Sequence, residues 1–371
     1  MVAHLARVAV VLLGGVLAAC DGNSGGGGDR DVPPVQADVA SMDAIGDSIS
    51  KGFDAVDEGE LCTGERENRN YATGDTHGDD FCSDGGEGVF SHAERLECVQ
   101  GTQIVRADPN SAISGARMLT EFADEARAAA AFLSGQPEPR YVTILLGDND
   151  VCAGTVDRVQ ASCPNGADED PQNHCRTTPQ AFERELREGL DALVAVPSLR
   201  IGVAAPVRVS LLCTKGSRDL CIDFVNCDDF WEAAVETQIP DERGVCGSLT
   251  ADCSDERIAA AYTISKSYRD ILSSVSAEYQ ASATKAAGVE VVFSDAAWRG
   301  KFDDEDISCC DCFHPSVSGQ DRIARVLFEG VVCNDTDVCC ADTGDPVADG
   351  QCVAEDRGGT FLPGFFPRSG A

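Results

Sequence analysis

Basic residues are scarce in this chain. Lysine and arginine together number 29 against 63 aspartates and glutamates, so the formal net charge is −34 over 371 residues. A surface with this balance repels the phosphates of nucleic acids and gains no electrostatic help in approaching anionic lipid headgroups. We therefore exclude DNA and RNA as partners.

The N-terminal apolar run is too short to span a membrane comfortably. Val8–Ala19 follows a positive charge, no acidic residue precedes it, and it ends at Leu17-Ala18-Ala19-Cys20, which resembles a bacterial lipobox. We predict a signal peptide at 1–19, an exported protein held at the membrane by lipid on Cys20, and a flexible glycine- and serine-rich linker over 20–38. An ordinary signal peptide cut nearby is the alternative.

Repeated C-x-x-C pairs, the usual spacing of zinc ligands, are missing although the chain has 19 cysteines. Without Cys20 an even number remains, and an exported chain favours disulfides. The less favoured alternative is a zinc cluster at one of two groups of cysteines: Cys309, Cys310 and Cys312, or Cys333, Cys339 and Cys340.

Apolar stretches and amphipathic stretches alternate along the chain. Strands are predicted at 39–45, 103–106, 141–146, 200–206 and 289–293, and helices at 90–98, 116–133, 179–194, 228–236, 254–287 and 316–330. Strands separated by helices favour a parallel sheet covered on both faces, with sites at the carboxyl ends of its strands.

Two long connections, 49–102 and 152–178, contain cysteines and are predicted to form walls around a site. Three histidines fall in or beside them. We interpret His77 and His92 as loop or helix-surface residues and His174 as a structural residue of a cysteine-rich loop.

Four short polar blocks follow predicted strands or lie on a late loop. In the last block Asp311 lies three residues before His314, and a carboxylate so placed fixes the tautomer of a histidine and stabilises its charged form. Ser48, in Gly46-Asp47-Ser48, is the candidate nucleophile. The other two blocks are Asn110–Gly115 and Gly147-Asp148-Asn149-Asp150, and each of the four is a weak signal alone.

In this order the blocks resemble the SGNH (GDSL-type) hydrolase family over about residues 39–330, and Gly147–Cys152 resembles its phospholipase B-like branch. The resemblance implies an α/β, three-layer flavodoxin-like domain with a central parallel sheet, and it implies no cofactor. Ser48 would be the nucleophile, His314 the base and Asp311 its orienting group. Gly115 and Asn149 would join the Ser48 amide in an oxyanion hole.

We expect one hydrolase domain over 39–332 and a disulfide-rich tail over 333–371. The aspartates of the tail fit no EF-hand spacing, so a solvated acidic surface is favoured over a calcium site. The expected activity is hydrolysis of lipid or other acyl esters through an acyl-enzyme on Ser48. Two alternatives stay open: a carbohydrate O-acetyl esterase, and a non-catalytic cell-surface binding protein.

Overall fold

The computed structural model describes residues 39–57, 59–76, 88–152, 176–214, 219–221, 226–231, 246–250 and 253–332. The predicted signal peptide, Cys20, the linker over 20–38 and the tail over 333–371 lie outside these residues, and so do His77 and His174.

A five-stranded parallel sheet forms the centre of the protein. Its strands are β1 (Ser41–Gly46), β2 (Val105–Arg106), β3 (Arg140–Leu145), β4 (Leu199–Ala204) and β5 (Glu290–Ser294). They lie in the order β2-β1-β3-β4-β5, and every neighbouring pair is parallel. This is the strand order of flavodoxin-like doubly wound sheets, so the predicted fold class is confirmed.

Helices cover both faces of the sheet. In the described part of the chain they are α1 (His92–Gln100), α2 (Phe122–Ser134), α3 (Asp148–Val151), α4 (Pro179–Leu193), α5 (Gly247–Thr250), α6 (Asp255–Ala281), α7 (Ala296–Arg299) and α8 (Val317–Leu327). Residues 227–231 are also helical. Short 3-10 helices span Glu67–Arg69, Val209–Thr214 and Asp304–Asp306, and a π-helical turn, Phe328–Val332, follows α8.

The alternation of side chains along β1 divides the core into two layers. Met42 and Ala44 pack on one face with the apolar residues of α1 and α8. Ile45 points to the other face and packs with α2, α4 and α6. Since successive strand residues face opposite sides, a strand covered on both faces is buried along its whole length, as β1 is.

Side-chain caps set the ends of several helices. The hydroxyl of Ser91 accepts the amide of Glu94, whose carboxylate accepts the amide of Ser91, so α1 begins at a reciprocal capping box. It ends at Gly101, which adopts a left-handed φ of 67°. At α8 the hydroxyl of Ser316 accepts the amide of Gly319 at 3.2 Å. This cap lies two residues after His314 and starts the helix at Val317.

The predicted helix over 116–133 begins later than expected, at Phe122. In a helix starting at residue 116, the first backbone amides would have no hydrogen-bond partner within the helix. Two carboxylates bind such amides here. Glu121 accepts the amide of Arg117 at 2.9 Å, and Asp150 accepts that of Met118 at 2.7 Å. These side-chain bonds hold 116–121 in turns, which the Ala-rich pattern of the sequence did not reveal.

His92 is not a helix-surface residue, so the interpretation from the sequence is wrong on this point. Its ring is fully buried, with Nδ1 3.0 Å from the Tyr141 hydroxyl and Nε2 2.9 Å from the Ala324 carbonyl oxygen. Burial lowers its pKa to about 3. His92 is thus a neutral core residue that joins α1 to β3 and α8.

Candidate active site

A tight turn at the end of β1 presents Ser48. Gly46 has a φ of +156°, and a side chain there would come within 2.4 Å of the Leu145 carbonyl oxygen, so the turn needs glycine. The Asp47 carboxylate then accepts the amide of Ile49 at 2.9 Å. These contacts fix the nucleophile turn, residues 46–49, at the carboxyl end of a central strand.

A short loop between the 3-10 helix Asp304–Asp306 and α8 brings Asp311 and His314 to this turn; we call residues 309–315 the histidine loop. One oxygen of Asp311 accepts the amides of Phe313 and His314, at 2.9 and 3.0 Å. Its other oxygen contacts His314 Nδ1. The carboxylate therefore folds its own loop and orients the imidazole as well.

The imidazole joins the two segments. His314 Nε2 lies 2.7 Å from Ser48 Oγ, although the two residues are 266 positions apart in the chain. With Nδ1–H donated to Asp311, Nε2 accepts the serine proton. The structure thus brings together Ser48, His314 and Asp311 as one hydrogen-bonded chain, in the order that nucleophilic catalysis requires.

Opposing effects act on the pKa of the histidine. Burial favours the neutral ring, but the charge and hydrogen bond of Asp311 outweigh it, with help from Asp47 and Asp54, so the pKa of His314 lies above its ordinary value. Burial also opposes the charged form of Asp311, yet His314 and the two backbone amides hold its pKa below the ordinary value. Asp311 is therefore ionised at neutral pH.

One of the two remaining blocks contacts the nucleophile turn, and the other contacts the residue that follows Gly115. The amide of Ile113 donates to the Gly46 carbonyl oxygen at 3.0 Å, and the side-chain amide of Asn149 donates to the Ala116 carbonyl oxygen at 3.0 Å. A primary amide has two N–H donors, so this bond occupies half of the capacity of Asn149. Gly115 lies between these contacts, is exposed and has a φ of +81°. Its left-handed conformation, rather than crowding, favours glycine.

Three disulfides hold the histidine loop to distant segments. Cys309 is bonded to Cys221, Cys310 to Cys62 and Cys312 to Cys227, which confirms that these cysteines form disulfides. Two further bridges, Cys152–Cys246 and Cys213–Cys253, lie elsewhere in the described residues. The tail cysteines and Cys82 lie outside those residues.

Sequence analysis missed a group of buried acids behind the nucleophile turn. Asp47, Asp148, Asp150 and Glu125 are each at most 3% exposed. Burial, with repulsion between neighbouring carboxylates, raises the pKa of Glu125 to about 9, and burial raises that of Asp150 to about 6. For Asp47, Asp148 and Asp150 the signal was present in the sequence, because these acids follow directly after strands that are buried on both faces.

The family profile described as GDSL-like Lipase/Acylhydrolase matches residues 44–327, which is more than half of the chain. The chain belongs to this family. As a GDSL-like hydrolase it has a hydrolytic activity and all four polar blocks within the matched range.

A search of solved structures also finds similar folds. One that is similar to this GDSL-like hydrolase is described as an alpha/beta hydrolase enzyme from the metagenome of Lake Arreo, Spain. The two are 15% identical with a TM-score of 0.41, over 81% of this chain and 99% of that chain. No curated protein sequence matches.

The disulfides of this GDSL-like hydrolase indicate an oxidising environment, since such bonds persist outside the reducing cytosol. Among the described residues, no helix has both the length and the apolar character needed to cross a membrane.

Proposed function

We propose that this GDSL-like hydrolase is a carboxylic-ester hydrolase that forms an acyl-enzyme on Ser48. The observation that carries the proposal is the continuous chain from Asp311 through His314 to Ser48, with 2.7 Å between His314 Nε2 and Ser48 Oγ. Hydroxyl, imidazole and carboxylate in this order activate the oxygen for attack on an acyl carbon.

The proposed reaction has two halves. His314 takes the proton of Ser48 as the oxygen attacks the ester carbonyl, and returns it to the leaving alcohol as the tetrahedral intermediate collapses. Water then adds to the acyl-enzyme with His314 again as base, which releases the acid and restores Ser48. The backbone amides of Ser48 and Gly115 and the free N–H of Asn149 would stabilise the negative oxygen in both halves.

The proposed catalytic domain spans residues 39–332. The proposed roles of the N-terminal segment rest on its sequence. The protein would be exported, lipidated at Cys20 and tethered by the linker over 20–38. Its acidic surface favours uncharged or cationic ester substrates over polyanions, by simple repulsion.

A second candidate concerns the size of the acyl group. A small apolar cavity of about 40 Å³ adjoins Ile49 and the histidine loop. It favours esters of short acyl groups, of which acetylated carbohydrates are one class, over long-chain lipids.

The test is a substrate panel with Ser48→Ala and a matched serine variant. The panel contains p-nitrophenyl esters of increasing chain length, a phospholipid and an acetylated xylan. Ser48→Ala should lose hydrolysis by several orders of magnitude, whereas Ser114→Ala should keep it, because Ser114 lies on a loop and its hydroxyl donates only to the surface residue Glu65. Full activity in Ser48→Ala would refute the mechanism. A wild-type protein inactive on every ester would favour a binding protein instead.

A further inference from the structure

The ring of Phe53 lies against the imidazole of His314. The centroids of the two rings are 4.7 Å apart, and their planes meet at 43°. Phe53 is half-buried and the His314 side chain is only 13% exposed, so little water reaches the contact. Phe53 follows Ser48 by five positions, and a ring from the nucleophile side of the site therefore touches the base on the histidine loop.

The backbone around Phe53 has an uncommon conformation. The amide of Phe53 donates to the Ser48 carbonyl oxygen at 2.9 Å, so the nucleophile and the phenyl ring belong to one turn. Gly52 has a φ of +62°, and a side chain there would lie 2.5 Å from a backbone carbonyl oxygen. Asp54 has a φ of +49°, which is rare for a residue other than glycine. Left-handed conformations on both sides of Phe53 thus fix the course of the chain at the ring.

Two further contacts hold this segment in place. The amide of Asp54 donates to the Gly64 carbonyl oxygen at 2.9 Å, and the Asp54 carboxylate accepts the amide of Gly64 at 2.8 Å. Gly64 lies next to the phenyl ring, since a side chain added there would be 3.6 Å from it. Cys62, two residues earlier, is bonded to Cys310 of the histidine loop. A covalent bridge therefore joins the surroundings of Phe53 to the loop that carries the base.

A phenyl ring beside an imidazole has its largest effect when the imidazole is charged. In the proposed reaction His314 takes the proton of Ser48 and becomes an imidazolium. A cation within about 6 Å of the centroid of an aromatic ring is attracted by the π-electrons of that ring, and the attraction is stronger where water is excluded. The distance of 4.7 Å between the centroids places the imidazolium within this range.

Carboxylates face the imidazole as well. Burial lowers the pKa of His314, while Asp311 on its own loop, and Asp47 and Asp54 on the segment that follows β1, raise it. Replacement of Phe53 leaves all three carboxylates in place. A change in the pKa of His314 in such a variant therefore reports the loss of the ring.

We propose that Phe53 is a positioning residue, whose ring keeps the imidazole of His314 directed at Ser48 and stabilises the positive charge that the imidazole acquires in each half of the reaction. The inference rests on the proposed ester hydrolysis at Ser48. Because both effects act through His314, loss of the ring should lower kcat and leave KM for a small ester little changed.

Phe53→Leu removes the aromatic ring and keeps an apolar side chain against the imidazole. From the usual strength of a cation–π contact, kcat for p-nitrophenyl acetate should fall by roughly two- to thirtyfold. The charged form of His314 loses stabilisation, so its pKa should fall by roughly 0.4–1.5 pH units and the rising limb of the pH–rate profile should move to lower pH.

The pKa of His314 is best measured directly. Burial raises the pKa of Asp47 to about 7, so this carboxyl group can also contribute to the pH–rate profile. Nuclear magnetic resonance of the protein with isotope-labelled histidine follows each imidazole separately. The signal of His314 is identified by its absence from His314→Ala.

Two variants at position 53 separate the π-electrons from the packing. Phe53→Tyr keeps an aromatic ring and should retain most of kcat and the pKa of His314. A fluorinated phenylalanine at position 53 keeps nearly the shape of the ring and withdraws electrons from its face, so the pKa of His314 should fall with each added fluorine. This second variant decides the question even if Phe53→Leu does not fold.

Phe90→Leu is the matched control. Phe90 is also half-buried and also lies beside a cation, with 4.5 Å between its centroid and the guanidinium carbon of Arg95. Its amide donates to Asp321 of α8, so it packs beside α1 and α8. This variant should lose a similar free energy of unfolding in urea and keep both kcat and the pKa of His314.

Each result decides the proposal. A lower kcat and a lower pKa of His314 in Phe53→Leu, restored in Phe53→Tyr and absent from Phe90→Leu, support it. An unchanged pKa overturns it even if kcat falls, and a raised pKa overturns it because the ring would then act by excluding water. Failure of the proposed function has a different signature, namely no hydrolysis of any ester by wild type and no fluorophosphonate adduct on Ser48, and overturns both.

Discussion

Removal of the Cys227–Cys312 disulfide should slow ester hydrolysis by more than its effect on stability explains. Cys312 lies between Asp311 and His314, is fully buried and has a left-handed φ of +58°. The bridge therefore fixes the backbone at the position that joins the carboxylate to the imidazole. In Cys227→Ala/Cys312→Ala the loop retains its two other bridges but loses the one between the two catalytic candidates.

A second disulfide, Cys213–Cys253, provides a control whose removal should have a similar effect on global stability. The sequence separation is 85 residues for Cys227–Cys312 and 40 residues for Cys213–Cys253. Loop-closure entropy gives roughly 4–5 kcal/mol for the first and about 4 kcal/mol for the second. Both double variants should thus lose similar free energy of unfolding, and any further difference in kcat reflects the position of the bridge.

The expected difference is large enough to measure. Misplacement of a catalytic group by about 1 Å can cost a factor on the order of 100, and with two bridges left we expect about a tenfold loss of kcat in Cys227→Ala/Cys312→Ala. Urea unfolding followed by far-UV circular dichroism gives the folded fraction, and p-nitrophenyl acetate hydrolysis gives kcat. If both double variants lose activity only in proportion to their unfolded fraction, the bridges stabilise the fold globally and the local argument is refuted.

Three further predictions concern single side chains. Asp311→Asn should lower kcat by about three orders of magnitude and shift the rising limb of the pH–rate profile to lower pH, since the base works above its pKa and the carboxylate holds that pKa up; an unmoved limb would contradict this. Glu125, with a pKa of about 9, is protonated in the folded state at neutral pH. Its contribution to the free energy of unfolding is therefore complete below pH 4.5 and is lost as the pH rises towards 9. In urea titrations, the free energy of unfolding of Glu125→Gln should therefore exceed that of wild type by up to about 3 kcal/mol at pH 7, but by little at pH 4. His92, with a pKa of about 3, stays neutral in the folded protein, so wild type should lose about 3 kcal/mol of free energy of unfolding as the pH falls from 6.5 to 4. His92→Leu should have a flatter dependence of Tm on pH.

The sheet and the order of the site residues along the chain could be predicted because both depend on local patterns. The strand β3 is mostly apolar, and β1 ends at Gly46, so hydrophobicity and glycine located both of them. The pair Asp311 and His314 could be recognised because three residues of separation let one carboxylate bind both the loop amides and the ring.

What could not be predicted depends on partners far away in the chain. The start of α2 is set by Asp150, which lies 32 residues after the amide it accepts. The burial of His92 depends on α8, whose Ala324 is 232 residues away. Sequence periodicity carries no information on such contacts.

The most direct test of the account is to map the reactive serine. The protein is treated with a fluorophosphonate, digested and examined by mass spectrometry. The account predicts one adduct per chain on the peptide containing Ser48, absent from Ser48→Ala and much slower to form in His314→Ala, because the base lies 2.7 Å from the hydroxyl it activates. An adduct on another serine, or rapid ester hydrolysis with Ser48 unmodified, would contradict it.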